Sequence, residues 1–458
     1  KVKEVFFCKE CGAEQPKWFG KCPECGAWGS AASESVVLGK SGSSLVAQSI
    51  TGERSVPVPV SRVTYDKSSR IDMGMEEVNR VLGGGLVEGS LVLLGGEPGI
   101  GKSTLSLQLS LINKNLRTLY VSGEESASQI KLRAERLGGG DADHCIILTE
   151  TSVDTIIAHI KNEMPQMVII DSIQTLYSEG LGNSPGGVSQ IRECAGQLLR
   201  VAKQTRIPMF IIGHITKDGS IAGPKILEHI VDVVLQFEGD SNNIYRILRG
   251  IKNRFGATSE IGVFEMRSEG MVEIHNPSAV LLTHFDEELS GIAVGATIEG
   301  VRSYLIEAQA LVSGAAYGVA QRSATGFDSK RLNMLLAVIE KRIGYKMQTK
   351  DVFLNIAGGF KVSDPGLDMA IVAAIMSSAL DISIPKNVAF AGEIGLSGEV
   401  RPAARTDARV AEAARLGFKR IIVSKYAQSD QLSKIKGIEI VYISRVEEIV
   451  KKVLKEFS

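Results

Sequence analysis

Between residues 63 and 275 short, almost wholly apolar runs alternate with stretches whose apolar residues fall three and four apart. The runs "LVLLGG", "RTLYVSG", "QMVIIDS" and "PMFIIGH" each end in a small or polar residue. Runs of this length predict strands buried on both faces, and the intervening pattern predicts amphipathic crossover helices. The segment therefore reads as an α/β domain with a parallel sheet, whose ligands bind at the carboxyl ends of the strands. From residue 276 to 458 Ala and Gly become abundant and the alternation is less regular. There "FDSKRLNMLLAVIEKRIG" carries an apolar face at Leu332, Leu335, Leu336 and Ile339, and "DMAIVAAIMSSAL" reads as a buried helix. That segment is expected to be a separate α+β domain. Residues 31–62, rich in Ser, Gly and Val with Pro57 and Pro59, show no period and read as a linker. No internal repeat is evident.

Composition narrows this little. With 458 residues the chain suits two or three domains, and 52 basic against 52 acidic side chains give no net charge to predict a partner. No apolar run approaches the ~20 residues of a membrane span, and the opening residues carry no signal-peptide core, so a cytoplasmic protein without membrane contact is expected.

Cysteine spacing adds a metal. Residues 8–29, "CKECGAEQPKWFGKCPECGAWG", hold two Cys-x-x-Cys pairs, Cys8 with Cys11 and Cys22 with Cys25, separated by ten residues. That spacing lets the chain reverse and gather four thiolates around one zinc ion, so residues 1–30 read as a zinc ribbon whose folding depends on its metal. Both tryptophans of the chain, Trp18 and Trp28, lie here. They either cover the knuckle or form a surface for a protein partner or for stacking on bases. Cys145 and Cys194 read as small buried hydrophobes.

The stretch Gly96-Glu97-Pro98-Gly99-Ile100-Gly101-Lys102-Ser103-Thr104 fits G-x-x-x-x-G-K-[ST] between a predicted strand and a predicted helix. Its amides should converge on the phosphates of ATP, Lys102 should reach the β and γ phosphates, and Ser103 should ligand magnesium. Asp171, closing "QMVIID", has the position of the acid that holds magnesium through water. Nothing acidic directly follows it. The preceding strand ends in Glu124 and Glu125, either of which can polarise water; Glu124 is taken as the hydrolytic base.

A base on the neighbouring strand is a feature of RecA-like ATPases. The string "IDMGMEEVNRVLGGGLVEGSLVLLGGEPGIGKST" at 71–104 resembles the start of the ATPase core of RecA, KaiC and the replicative helicases. With the four-cysteine ribbon, "IIGHITKDGSIAGPKILEHIVDVVLQFEG" and "KNRFG" at 252–256, nearly the whole chain resembles the bacterial RadA (Sms) family. The resemblance implies a DNA-dependent ATPase and helicase of recombination and repair, a homo-hexameric ring that moves on single-stranded DNA, promotes branch migration and works with the RecA recombinase. It implies a RecA-like P-loop core and a carboxyl-terminal Lon-protease-like domain. Lys252 and Arg254, two apart on a strand, point the same way and can reach the γ-phosphate held by a neighbouring subunit. Phe255 is expected to face inward and Gly256 to end the strand. His214 holds the place of a polar sensor between γ-phosphate and DNA-facing loops. Arg192, Lys217 and Lys225, in or beside the Gly-rich stretches, are candidate phosphate contacts in branched or single-stranded DNA.

The carboxyl-terminal resemblance raises a rival, an ATP-dependent protease. Lon-like nucleophiles sit in D-G-P-S-A-G, whereas this chain reads Asp364-Pro365-Gly366-Leu367-Asp368-Met369-Ala370, without serine. The lysine base is also missing, since residues 403–410 offer only Arg405 and Arg409, whose pKa is too high for a base. No peptidase activity is expected. In the family this domain builds the ring and offers a basic DNA-binding surface, for which Arg302, Arg322, Lys330, Arg331, Lys341, Arg342 and Lys346 are candidates. A third reading, an ATP-controlled DNA-binding switch or recombinase mediator that does not unwind, stays open.

Overall fold

The computed structural model describes residues 2–8, 14–15, 17–24, 26–37, 59–62, 70–181, 186–214, 226–239, 245–278, 282, 289–300, 302–315, 320–357 and 362–456. The chain divides into two compact units, residues 1–274 and 275–458.

At the amino end, β1 (Val2–Cys8) pairs antiparallel with β2 (Glu14–Gln15) and with β3 (Ala31–Val37). The stretch expected to be linker therefore begins with a strand. Val36 and Val37 pair with Lys3 and Val2, so the β-branched end of "AASESVV" is drawn into the ribbon. Residues 38–58 lie outside the described residues.

Residues 91–273 are built on one nine-stranded sheet. After β4 (Arg70–Ile71), α1 (Glu76–Leu82) and β5 (Leu86–Val87) come β6 (Leu91–Gly96), α2 (Lys102–Ile112), β7 (Thr118–Ser122), α3 (Ala127–Arg136) and β8 (Cys145–Thr149). Then follow α4 (Val153–Glu163), β9 (Met167–Asp171), α5 (Val188–Thr205), β10 (Met209–His214), α6 (Ile226–Ile230), β11 (Val233–Glu238), β12 (Tyr245–Asn253), β13 (Ile261–Arg267) and β14 (Gly270–Glu273). The order across the sheet is β14-β13-β12-β11-β6-β10-β9-β7-β8. From β11 to β8 all neighbours are parallel, and β12, β13 and β14 continue antiparallel. All four apolar runs singled out above are inner strands. They are apolar throughout because alternate residues feed different cores: Val92, Leu94, Tyr120 and Ile169 pack on one face, Leu91, Leu93, Leu119, Val121 and Val168 on the other. Among the described residues no helix is long and apolar enough to cross a membrane.

The second unit carries β15 (Ile292–Glu299), β16 (Arg302–Gly314), β17 (Arg322–Thr325), β18 (Lys350–Ile356), β19 (Val388–Ala391), β20 (Glu393–Ile394), β21 (Val400–Arg401), β22 (Arg420–Ser424) and β23 (Glu439–Ile443). Its main sheet runs β17-β18-β16-β15-β19-β22-β23. The helix Asp368–Leu380 is buried along nearly its whole length. The helix Ser329–Val338 buries Leu332, Leu335 and Leu336, and Ile339 begins the π-turn that continues it.

Two ion pairs occupy the segment in which a protease would need its nucleophile. Arg409, fully buried, donates to Asp364 at 2.6 Å, to the Ala404 carbonyl at 2.9 Å and to the Ala296 carbonyl. Burial alone would raise the Asp364 carboxyl; the Arg409 guanidinium and the amides of Gly366 and Ile298 outweigh it and hold the group below the usual carboxylate range. Arg331 grips the buried Asp368 with two nitrogens, Nε at 2.7 Å, and Asp368 also accepts from the Ile394 amide at 3.0 Å. Arg331, a candidate DNA contact, thus spends its guanidinium on a carboxylate of its own domain.

Removing one partner of a buried pair leaves the other charge uncompensated. Asp364→Ala should therefore lower unfolding free energy by about 3–5 kcal/mol near neutral pH in denaturant titrations. Because the folded carboxyl is depressed, the pair's contribution is complete above ~pH 4 and fades as pH falls through the folded value. The gap between wild type and variant should close on acidification, and a gap that did not change with pH would mean that packing, not charge, holds this turn.

Candidate functional site

The phosphate loop leaves β6 at Gly96 and enters α2 at Lys102. It can make so tight a turn because Gly101 adopts a left-handed conformation, φ 111°, with the methyl ends of Met266 and Met271 packed where a Cβ would sit. Arg246, buried at the start of β12, donates to the loop's Ile100 carbonyl at 3.0 Å and steadies it from below. Met271 exchanges two hydrogen bonds with the Gln108 amide of α2, tying the β13–β14 hairpin to the helix that follows the loop.

Lys102 is 4% exposed, and its ammonium donates to the carbonyls of Gly96 at 2.8 Å and Glu97 at 2.9 Å. Burial pushes it down to about 8, against the opposing pull of Asp171 and Glu124. Those three charges therefore share one small volume. Ser103 and Thr104, next along α2, are half-buried.

Asp171 ends β9 directly opposite Ser122, the end of β7. Its Oδ2 accepts a 2.8 Å hydrogen bond from the phenol of Tyr120, which lies inside β7. Burial, and then the Asp171 carboxylate, hold that phenol well above its ordinary pKa, so it stays a donor. Ser172, the next residue, donates from Oγ to Glu124 Oε1 at 2.6 Å. The Ser122 hydroxyl accepts from the amides of Glu124 at 3.4 Å and Glu125 at 3.0 Å. The two glutamates then part: Glu125 forms an ion pair with Arg133 of α3, while Glu124 turns to Ser172. Gly96 on β6 is the register partner of His214 on β10, so the backbone of His214 reaches the phosphate loop; its side chain lies outside the described residues. Tyr120, Ser122 and Ser172 were not singled out from the sequence. Tyr120 was discoverable there, as a phenol inside an otherwise apolar buried strand one turn of pleat from the glutamates.

The KNRFG segment is tied down at each position. Lys252 donates to the carbonyls of Val231, at 2.8 Å, and Glu228, at the end of α6. Burial and the neighbouring Arg254 charge lower its pKa. Asn253 donates to the Leu82 carbonyl of α1 at 3.2 Å and accepts from the Phe255 amide at 2.9 Å. Arg254 pairs with the buried Asp232 at 3.2 Å, and Lys203 pairs with the same carboxylate at 2.7 Å. Lys252 and Arg254 thus reach the same turn from one side of the chain. Phe255 is half-buried against the first core, beneath the Lys203 ammonium. The strand ends at Asn253 and not at Gly256, because the Asn253 side chain starts a turn that brings Gly256 against Gly83.

Of the candidate phosphate contacts, Arg192 is exposed on α5, and Lys330, Lys341, Arg342 and Lys346 are exposed in the second unit. Arg322 is exposed and reaches Asn333 at 3.3 Å; Arg302 donates to the His275 carbonyl. Lys217 and Lys225 lie outside the described residues.

In the ribbon, Cys8 and Cys22 are 0% and 1% exposed, and the Cys8 thiol donates to the Ser30 hydroxyl at 3.1 Å. Cys11 and Cys25 lie outside the described residues, and among those described no cluster of three metal-ligating side chains occurs. Two buried thiols, one at the end of β1 and one in the turn before β3, suit the donor set of a structural zinc. Cys145 and Cys194 are free, and burial pushes their thiols up to about 11 and about 12.

Three family models match: an AAA domain over residues 59–220, a rubredoxin metal-binding domain over 6–31, and the ChlI subunit of Mg-chelatase over 318–427. Among solved structures, a KaiC-like protein from Pyrococcus horikoshii is 21% identical, with a TM-score of 0.37 over 45% of this chain and 98% of its own. The RadB recombinase is 21% identical, with a TM-score of 0.36 over 44% of this chain and 99% of its own. Curated relatives extend along the full length. The DNA repair protein RadA of Bacillus subtilis is 46% identical over 455 residues, 98% of each chain. That of Halalkalibacterium halodurans is 48% identical over 426 residues, covering 92% of this chain and 93% of its own. Identity at this level along nearly the whole of both chains shows that the chain belongs to the RadA family of DNA repair proteins.

Proposed function

We propose that the chain is a DNA-dependent ATPase that assembles as a homo-hexameric ring in the cytoplasm, moves on single-stranded DNA, and drives branch migration alongside the RecA recombinase. The observation that carries the reading is the convergence of Lys102, Asp171 and Glu124 at the carboxyl ends of parallel strands, within reach of one another's charge.

In this reading the amides of residues 96–104 cradle the phosphates of ATP. Lys102 gives up its loop carbonyls for the β and γ phosphate oxygens. Ser103, and Asp171 through water, would hold magnesium, which when bound supplies positive charge against the phosphates. Tyr120 fixes one oxygen of Asp171, leaving the other to face the site. Glu124 takes the proton of the water that attacks the γ-phosphorus, the bond to the β-phosphate oxygen breaks, and phosphate leaves with ADP on the loop. Ser172 is the group that aims Glu124. Glu125 is engaged by Arg133, which supports Glu124 over Glu125 as the base. His214 senses the γ-phosphate.

Lys252 and Arg254 act on the nucleotide of a neighbouring subunit. Within its own subunit Lys252 holds the carboxyl end of α6, and α6 follows the stretch that carries Lys217 and Lys225. Drawing Lys252 to a neighbour's phosphate releases that helix end, which links hydrolysis to a DNA-facing segment. Arg192, Arg302, Arg322, Lys330, Lys341, Arg342 and Lys346 supply further phosphate contacts, and Cys8, Cys11, Cys22 and Cys25 hold zinc.

The decisive comparison is of two glutamates. Glu124→Gln should bind ATP with near wild-type affinity while hydrolysis falls at least about a hundredfold, whereas Glu125→Gln should keep turnover within a few-fold and lose thermal stability through Arg133. The opposite pattern would move the base to Glu125. Tyr120→Phe should raise the magnesium concentration giving half-maximal turnover several-fold and leave ATP affinity at saturating magnesium unchanged; an unaltered magnesium dependence would remove the phenol from the site. Lys252→Ala should still bind nucleotide but lose DNA-stimulated turnover, and full stimulation in that variant would end its role between subunits.

A further inference from the structure

The two tryptophans of the chain, Trp18 and Trp28, are both exposed. Trp18 is 67% and Trp28 is 77% exposed, although an indole offers 150–250 Å² for burial. Most of each ring faces outward, while Cys8 and Cys22 are buried. The two tryptophans lie on the two arms of one turn, ten residues apart. Lys21 and Trp28 form a bridge pair, the Gly29 amide donates to the Gly20 carbonyl at 2.8 Å, and the Trp18 ring lies 3.6 Å from the position a Gly20 Cβ would take. The Trp18 ring thus lies beside Gly20, Trp28 directly precedes Gly29, and a Cβ at Gly29 would meet no other group within 4 Å. The Lys21 ammonium sits over Trp28, 5.7 Å from the ring centre, and Lys17 is exposed next to Trp18.

We infer that this surface is a stacking platform for unpaired bases of a single-stranded nucleic acid. Flat π-faces set apart by glycines accept bases one at a time and without regard to sequence, and lysines beside them meet the phosphates between those bases. A protein-binding hot spot would surround its tryptophans with apolar neighbours. Here the other exposed residues described between 17 and 30 are Lys17, Lys21, Pro23, Glu24 and Gly29, of which only Pro23 has an apolar side chain. Two cations against one carboxylate favour a polyanion. The platform adds a contact to the DNA-binding activity proposed above and rests on that activity.

Because both tryptophans lie in the ribbon, their fluorescence reports on this surface alone. Oligo-dT titrated into the full-length, zinc-loaded protein should quench the emission, and an abasic strand of equal length and charge should not. Trp18→Ala and Trp28→Ala should each weaken oligo-dT binding about fivefold to a hundredfold, at unchanged zinc content and basal ATP turnover, and Trp28→Tyr should restore most of it. The inference is overturned if a labelled oligo-dT binds by anisotropy while emission stays constant and both variants bind as wild type does; the tryptophans would then belong to a protein partner. Loss of all DNA binding in the wild type would instead contradict the proposed function itself.

Discussion

A buried ammonium is unstable without partners, and the way Lys102 finds them organises the whole phosphate site. Its donors satisfy two carbonyls of its own loop, and its charge is answered by Asp171 and Glu124. Parallel strands bring those groups together, because parallel pairing puts every carboxyl end on one edge. β6 ends in the loop, β9 in Asp171, and β7 two residues before Glu124. The peptide from Asp171 to Ser172 then serves two purposes. Its first side chain is held by Tyr120 and its second holds Glu124, so the arrangement of Asp171 and Glu124 depends on one strand end.

The same economy appears at the end of β12, the first strand of the antiparallel extension. Lys252, Asn253 and Arg254 each close a different gap: the last carbonyls of α6, the last carbonyls of α1, and the buried Asp232. Helix ends leave carbonyls unsatisfied, and side chains from a neighbouring strand are an economical cure. The consequence is that β12 couples two helices, while the β13–β14 hairpin beside it touches Gly101 and Gln108 of the phosphate loop and its helix. A shift at the loop is thus mechanically adjacent to Lys252.

The strands were legible because their apolar runs are local: Leu91 and Leu93 against Val92 and Leu94 can be read without knowing the partner. The P-loop and the two Cys-x-x-Cys pairs were legible for the same reason. What escaped depended on residues distant in sequence. Nothing near "AASESVV" says that it pairs with the first seven residues of β1, so a strand read as linker. Arg331 sits on a helix surface and looked solvated, but Asp368, thirty-seven residues on, claims it. Glu124 and Glu125 are adjacent and chemically alike; Arg133 on α3 and Ser172 on β9's end separate them. Arg409 was read only as a residue unable to replace a lysine base, and its burial with Asp364 gives the positive reason for its presence.

These threads meet in a claim about work: hydrolysis at the strand ends is spent on moving DNA. The direct measurement is strand separation of a forked DNA with one labelled strand, in the presence of ATP and magnesium, comparing wild type with Lys102→Ala. The account predicts separation by the wild type alone. If DNA stimulated ATP turnover in the wild type and yet no strand separated, with or without the RecA recombinase to load it, the motor would be contradicted and the nucleotide would be governing a DNA-binding switch.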